Sequence, residues 1–329
     1  MHGAPTDHDV AEMTPTPDAP RGIRRLGRPL VLIPLVVATL ALIGAAAAAE
    51  AGDTLLSIPE AVLLGVVEGL TEYLPVSSTG HLTVTQDLLG LTETDAAKEA
   101  ADAYAIAIQA GAILAVLGLY WRRIATALLA VAGRGPDPVG GRRLSVAIVV
   151  GFLPAAIAGF LLGDTIKEHL FGVWPVVAAW FVGGIVILTW PAAGGRAGRA
   201  LEAITVRDGL IIGLVQVVAL WPGVSRSLVV ILAALGVGLS IAASVEFAFL
   251  LGLVTLGAAT LYETLDKGGV IVDQFGISAP IVGFVAAFLS AAAAVVWMVS
   301  YVERHGIKIF GWYRITIAAV VAVLALTVL

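Results

Sequence analysis

The chain has 329 residues and a formal net charge of −5, and 59% of its residues are hydrophobic against 13% charged. That balance describes a polytopic helical membrane protein and not a soluble domain, and the negative charge argues against nucleic acid as a partner. With no cysteine, disulfides are excluded, and a metal site would have to use Asp, Glu, His or backbone oxygens, a donor set suited to Mg²⁺ or Ca²⁺.

Residues 1–20 carry Pro5, Pro15, Pro17 and Pro20, four acids and neither Lys nor Arg. With Arg21, Arg24, Arg25 and Arg28 they read as a disordered cytoplasmic tail over 1–28. The apolar run 29–49 follows. A basic region before an apolar core ending in small residues is also the pattern of a signal peptide. The run exceeds the ~7–15 residues of such a core, so an extra transmembrane helix over 29–50 is the preferred reading. Residues 51–329 are then one membrane domain.

Next comes an apolar segment, 58–90, interrupted by polar groups. Glu68 and Glu72 are four residues apart, so a helix places both on one face. Pro75 breaks that helix, and Ser77, Ser78 and Thr79 stand where a second one would start with a hydroxyl cap. His81 closes the stretch. A charge at bilayer depth costs at least ~2.5 kcal/mol, so two carboxylates here point to function.

Further spanning helices are expected at 103–120, 144–163, 173–192, 241–262, 279–301 and 311–329, with a second broken apolar segment at 208–239. Basic loops at 21–28, 121–143, 196–207 and 304–314 alternate with acidic or weakly charged ones at 51–57, 87–102, 163–171 and 263–274. The two sets fall on opposite sides only if both broken segments are re-entrant, the first from outside and the second from the cytoplasm. This gives seven spanning helices and two hairpins, with the N-terminus inside and the C-terminus outside. The second broken segment also matches the first at an offset of 148 residues, which lays Gly213 on Gly65, Gln216 on Glu68, Ser225 on Ser77 and Arg226 on Ser78. The expected fold is therefore an all-α polytopic membrane protein, an inverted-topology repeat with two re-entrant helical hairpins and a site near the midplane.

Pro222 and Gly223 break the second hairpin, and Ser225, Arg226 and Ser227 open its second helix. A helix N-terminus with a guanidinium suits a phosphate. Glu68, Glu72 and His81 suit proton transfer, a nucleophile or a divalent metal. Together they suggest phosphoryl transfer to water. Each residue also has a plainer reading. Arg226 could form a stabilising ion pair with a buried Glu, His81 could cap a helix, and the serines could all be caps. Gln109 reads as an interhelical hydrogen-bonder, Glu246 as a helix-end group, and Tyr313 with Arg314 as an interface anchor.

The stretch Glu-Gly-Leu-Thr-Glu-Tyr-Leu-Pro-Val-Ser-Ser-Thr-Gly-His at 68–81, with Pro-Gly-Val-Ser-Arg-Ser at 222–227, resembles the two signature motifs of the bacitracin-resistance type undecaprenyl-diphosphate phosphatases. Stretches 107–116 and 247–251 are similar to weaker family segments, and the resemblance runs from about residue 58 to the C-terminus. It implies a plasma-membrane hydrolase that converts undecaprenyl diphosphate to the monophosphate, recycling the lipid carrier of cell-wall synthesis, with a site open to the outer face. By that pattern Glu68, Glu72, Ser78, His81 and Arg226 are the functional positions. Ser77, Thr79, Ser225, Ser227 and Gln216 are the expected substrate contacts, and Glu68 with Glu72 the expected holders of a divalent cation. The expected partners are a polyprenyl diphosphate lipid and the bilayer, with room for a homodimer. The rival reading is a lipid or ion-coupled transporter built on the same repeat. Two departures stand out: Leu228 occupies a position where the family has Gly, and Glu246 one where Arg is common.

Overall fold

The computed structural model describes residues 56–190 and 198–327. The tail and the apolar run 29–49 lie outside the described residues. Within those described, every regular element is helical, and the one pairing of β type is an isolated bridge between Arg199 and Leu239.

The first broken segment folds as α1 (Ile58–Thr71) and α2 (Ser78–Leu88). Ser57 and Glu60 form a capping box at the start of α1, with Pro59 in its first turn. Then come α3 (Asp95–Leu119), the short amphipathic α4 (Trp121–Val131), α5 (Pro138–Leu170) and α6 (Val173–Thr189). The second broken segment is α7 (Val206–Gln216), a 3₁₀ turn at Val217–Leu220, and α8 (Arg226–Gly236). A second capping box, Thr205 with Asp208, opens α7. Three long helices close the chain: α9 (Ile241–Phe275), α10 (Ser278–His305) and α11 (Lys308–Thr327).

Among the described residues, five helices are long and apolar enough to cross a membrane: α3, α5, α9, α10 and α11. The segment expected to span at 173–192 is helical, but α6 has only 17 residues, short of the ~20 that cross a bilayer upright. The expected loops at 163–171 and 263–274 are instead helical continuations of α5 and α9. Neither stretch contains proline, and α9 stops only before Gly276, whose φ of 68° ends a helix as L side chains rarely can.

The broken segments each lie on a helix distant in sequence. α1 packs against α10 and α7 against α5, while α3 lies on both α9 and α10, and α6 on α11. Glycine allows these close approaches. A Cβ on Gly65 would overlap the carbonyl oxygen of Gly283, and one on Gly213 that of Gly151. α8 is buried along most of its length, from Ser227 to Leu235. It packs with α9 in the main core, where Val230, Ile231, Phe247 and Phe249 meet Tyr73 and Tyr120. A helix apolar on all sides requires this enclosure, and it brings the start of α8 against the break between α1 and α2.

Candidate active site

Both chain breaks leave backbone carbonyls without helical partners, and buried ones must be satisfied. Leu74 accepts from the Ser227 hydroxyl at 2.8 Å, and Val76 from the Trp180 indole at 2.8 Å. Arg314 is fully buried, at 0% exposure. Its guanidinium donates to Pro75 at 3.4 Å, to Gly223 at 2.9 Å and to Ala179 at 2.8 Å. It therefore ties one break to the other and both to α6. Arg314 is no interface anchor. An arginine within an apolar stretch is costly enough that its burial was the available signal.

Ser77 and Ser225 cap α2 and α8, with φ of 73° and 76°, the only non-glycine residues at positive φ among those described. Ser77 accepts from the Gly80 N–H at 3.4 Å, and Ser225 from the Leu228 N–H at 3.3 Å. The Ser225 and Ser227 hydroxyls lie 3.0 Å apart. These serines hold the turns together.

Glu72 gathers the two segments. One oxygen receives the Arg226 guanidinium at 3.0 Å. The other receives the Ser78 hydroxyl and, at 3.3 Å, the Gln109 amide. Arg226 also donates to the Ala248 carbonyl at 2.7 Å, and its guanidinium stands 5.5 Å from the Tyr73 ring centroid. Gln109 is oriented in turn by Thr260, whose hydroxyl donates to its Oε1 at 3.1 Å. Its sequence reading as an interhelical hydrogen-bonder holds, yet it also faces the site.

Glu68 is 1% exposed and neither of its oxygens has a hydrogen-bond partner. It lines a cavity of about 370 Å³ together with Ser78, Thr79, Gln86 and Gln109. Asp95, Glu99, Asp102 and Glu263 are also on its wall. A buried carboxylate with free oxygens beside hydroxyl and amide groups suits a hard cation, whose remaining ligands come from water or phosphate. No group of three or more His, Asp or Glu side chains forms a closed metal cage among the described residues.

Not every expected residue joins this cluster. His81 lies on α2 but does not line the cavity; its ring contacts Trp180 and Tyr313 instead. Gln216 is 1% exposed, away from the cavity, with both amide atoms unpartnered. Leu228 is buried in the core, with only its N–H turned to the Ser225 cap. Glu246 pairs with Arg123 at 2.8 Å on another part of the bundle.

A profile described as bacitracin resistance protein BacA matches residues 61–320. The chain belongs to this family. Three relatives illustrate the match. The undecaprenyl-diphosphatase of Sorangium cellulosum is 42% identical over 267 residues, 80% of this chain and 84% of that protein. Undecaprenyl-diphosphatase 1 of Chromobacterium violaceum is 42% identical over 263 residues, 79% and 93% of the two chains. Undecaprenyl-diphosphatase 2 of Rhodospirillum rubrum is 42% identical over 269 residues, 81% and 94%. The stretch matched to the BacA family contains every side chain of this site, from Glu68 to Arg314.

Proposed function

We propose that this chain is an integral-membrane undecaprenyl-diphosphate phosphatase, releasing phosphate and the lipid monophosphate. The BacA-family relatives named for this activity support it. The observation that carries it into chemistry is the Glu72 carboxylate, bridged to Arg226 of one broken segment and Ser78 of the other, beside the unpartnered Glu68.

In this reading the two breaks are the tips of re-entrant hairpins in an inverted repeat. Their matching caps at Ser77 and Ser225, and the reciprocal packing of α1 on α10 and α7 on α5, support it. Alternating loop charge supports a cavity open to the outer face of the plasma membrane. Arg226 neutralises charge on the terminal phosphate. Among the further expected contacts, the Ser77, Ser225 and Ser227 hydroxyls are engaged within the turns and Gln216 lies away from the cavity. That leaves the Thr79 hydroxyl, on the cavity wall, as the proposed one. Glu72 already accepts the proton-bearing Ser78 hydroxyl, the relation of a base to its nucleophile. It serves Ser78, or a water beside it, as base. The attacking oxygen bonds the terminal phosphorus, the anhydride P–O bond breaks, and the lipid monophosphate departs with the proton that Glu72 took up. Where Ser78 attacked, water then attacks the phosphoserine, Glu72 passes the water's proton to the Ser78 oxygen as its bond to phosphorus breaks, and phosphate leaves. Glu68, with Glu72 beyond it, would hold a divalent cation, which supplies charge neutralisation on the phosphate oxygens.

Phosphate release from a prenyl diphosphate by purified protein in detergent, with and without EDTA, tests this. Hydrolysis needs no sealed compartment, whereas lipid or ion-coupled transport does. Folded protein that binds the lipid without releasing phosphate would overturn the proposal.

A further inference from the structure

His81 does not enter the cavity, yet its ring is the most fully engaged polar group on α2. Its Nδ1 lies 2.7 Å from the Ser77 carbonyl oxygen, and its Nε2 2.7 Å from the Tyr313 hydroxyl. A carbonyl only accepts, so Nδ1 must carry a proton. In the neutral ring Nε2 is then bare and accepts the Tyr313 O–H. The Tyr313 ring stacks on the imidazole at 5.7 Å and 14°, and Trp180 closes in at 4.8 Å. Both nitrogens are thus taken, and neither partner is a carboxylate of the site.

The bond to Ser77 falls where the backbone needs it. Ser77 has φ 73°, a region that a non-glycine residue occupies only when its surroundings hold it there. Its counterpart Ser225, at φ 76°, is held by other means: its hydroxyl meets those of Ser227 and the Leu74 carbonyl. The residue four beyond Ser225 is Val229, whose N–H reaches the Ser225 carbonyl at 3.1 Å and whose side chain has no donor. Four beyond Ser77 is His81, whose N–H stands at a longer 3.4 Å and whose ring adds a second donor at 2.7 Å. Ser78, the next residue after Ser77, donates its hydroxyl to Glu72. A shift of the Ser77 turn would therefore move the Ser78 hydroxyl away from Glu72.

We propose that His81 is a positioning residue: its Nδ1–H clamps the Ser77 turn and so aims the Ser78 hydroxyl, while Tyr313 occupies its other nitrogen. It is not the proton donor to the leaving phosphate. This rests on the phosphatase reading for its kinetic consequences, although the geometry of the clamp does not.

Two substitutions separate the roles. In His81→Asn the amide N–H takes the place of Nδ1–H; in His81→Gln it reaches the place of Nε2. The clamp predicts that His81→Asn keeps kcat within about tenfold of the parent, while His81→Gln loses about a hundredfold, at similar KM. A proton donor predicts that both lose some ~10²–10⁴-fold, and equal losses of that size would overturn the proposal. Tyr313→Phe should lower kcat a few-fold; a rise would mean that Tyr313 blocks a nitrogen needed in catalysis, which also overturns it. ¹⁵N spectra of ring-labelled protein in detergent give a readout independent of turnover, with the His81 signals identified by their loss in His81→Asn. The neutral ring should be protonated at Nδ1 and bare at Nε2, and protonation at Nε2 would end the proposal whatever the activity. If the parent releases no phosphate while the tautomer is as expected, the phosphatase reading fails and the clamp stands.

Discussion

The Glu72–Arg226 pair joins two helices whose sequence separation is 154 residues, and both side chains are below 10% exposure, at 5% and 9%. Removing one member of such a pair leaves an uncompensated buried charge, at roughly 3–5 kcal/mol, whereas replacing both by apolar groups is often neutral. Arg226→Met alone should therefore unfold at clearly lower temperature than Arg226→Met combined with Glu72→Leu, measured by thermal denaturation in detergent. Turnover behaves differently. Glu72→Gln and Arg226→Ala should each reduce phosphate release by at least ~100-fold, because each removes a group that stabilises charge at low dielectric. Folded variants working at near-parental rates would refute the assigned roles. Leu228 gives the opposite pattern. Since it packs in the core and presents only its N–H to the Ser225 cap, Leu228→Ala should cost roughly 2–5 kcal/mol of stability and change kcat little in the protein that remains folded.

At the level of elements, glycine sets how closely the broken segments approach their supports. A side chain at Gly213 meets the backbone of Gly151, which cannot swing aside as a flexible side chain can. Gly213→Ala should cost about 1–3 kcal/mol, the usual range for overpacking, and lower the melting temperature. The orientation of the elements is open to a direct test. The chain has no cysteine, so one introduced at Asp95, on the cavity wall, should react with an impermeant thiol reagent in intact cells. One introduced at Asp137, the N-cap of α5, should not. The reverse labelling would turn the protein over in the membrane.

For the whole molecule, the site uses residues from α1, α2, α3 and α8, supported by α6, α9 and α11. All lie within the stretch matched by the family or in immediate contact with it. Residues 1–50 lie outside the described residues, and the apolar run 29–49 carries no charged or amide side chain. A protein beginning near residue 51 and inserted in the same orientation should keep most of its specific activity. Normal substrate binding without hydrolysis would show that the upstream run takes part in the site. N-terminal sequencing of the membrane-embedded protein that starts near residue 50 would instead show a cleaved signal peptide.

Much of this could be read along the chain because it depends on local properties. Hydropathy marked α3, α5, α9, α10 and α11, and proline with hydroxyl caps marked both breaks. The four-residue spacing put Glu68 and Glu72 on one helix face. The cost of charge in an apolar stretch made them candidates before any contact was known. Which partner each group takes was not legible, because partners in a helical bundle are far apart in sequence and hydrogen bonds act over about 3 Å. Packing of α8 against α9 delivered Arg226 to Glu72, and left Glu68 unpaired on the cavity wall. It turned the serines of the second break toward the Leu74 carbonyl of the first. Burial moved Arg314 from an expected interface anchor to a tie between the breaks, since its side chain is fully enclosed and three backbone carbonyls receive its guanidinium there. The sequence named the polar residues, whose presence in an apolar chain is itself informative. Only the tertiary structure decided which of them meet, because that is set by the packing of helices that do not neighbour one another along the chain.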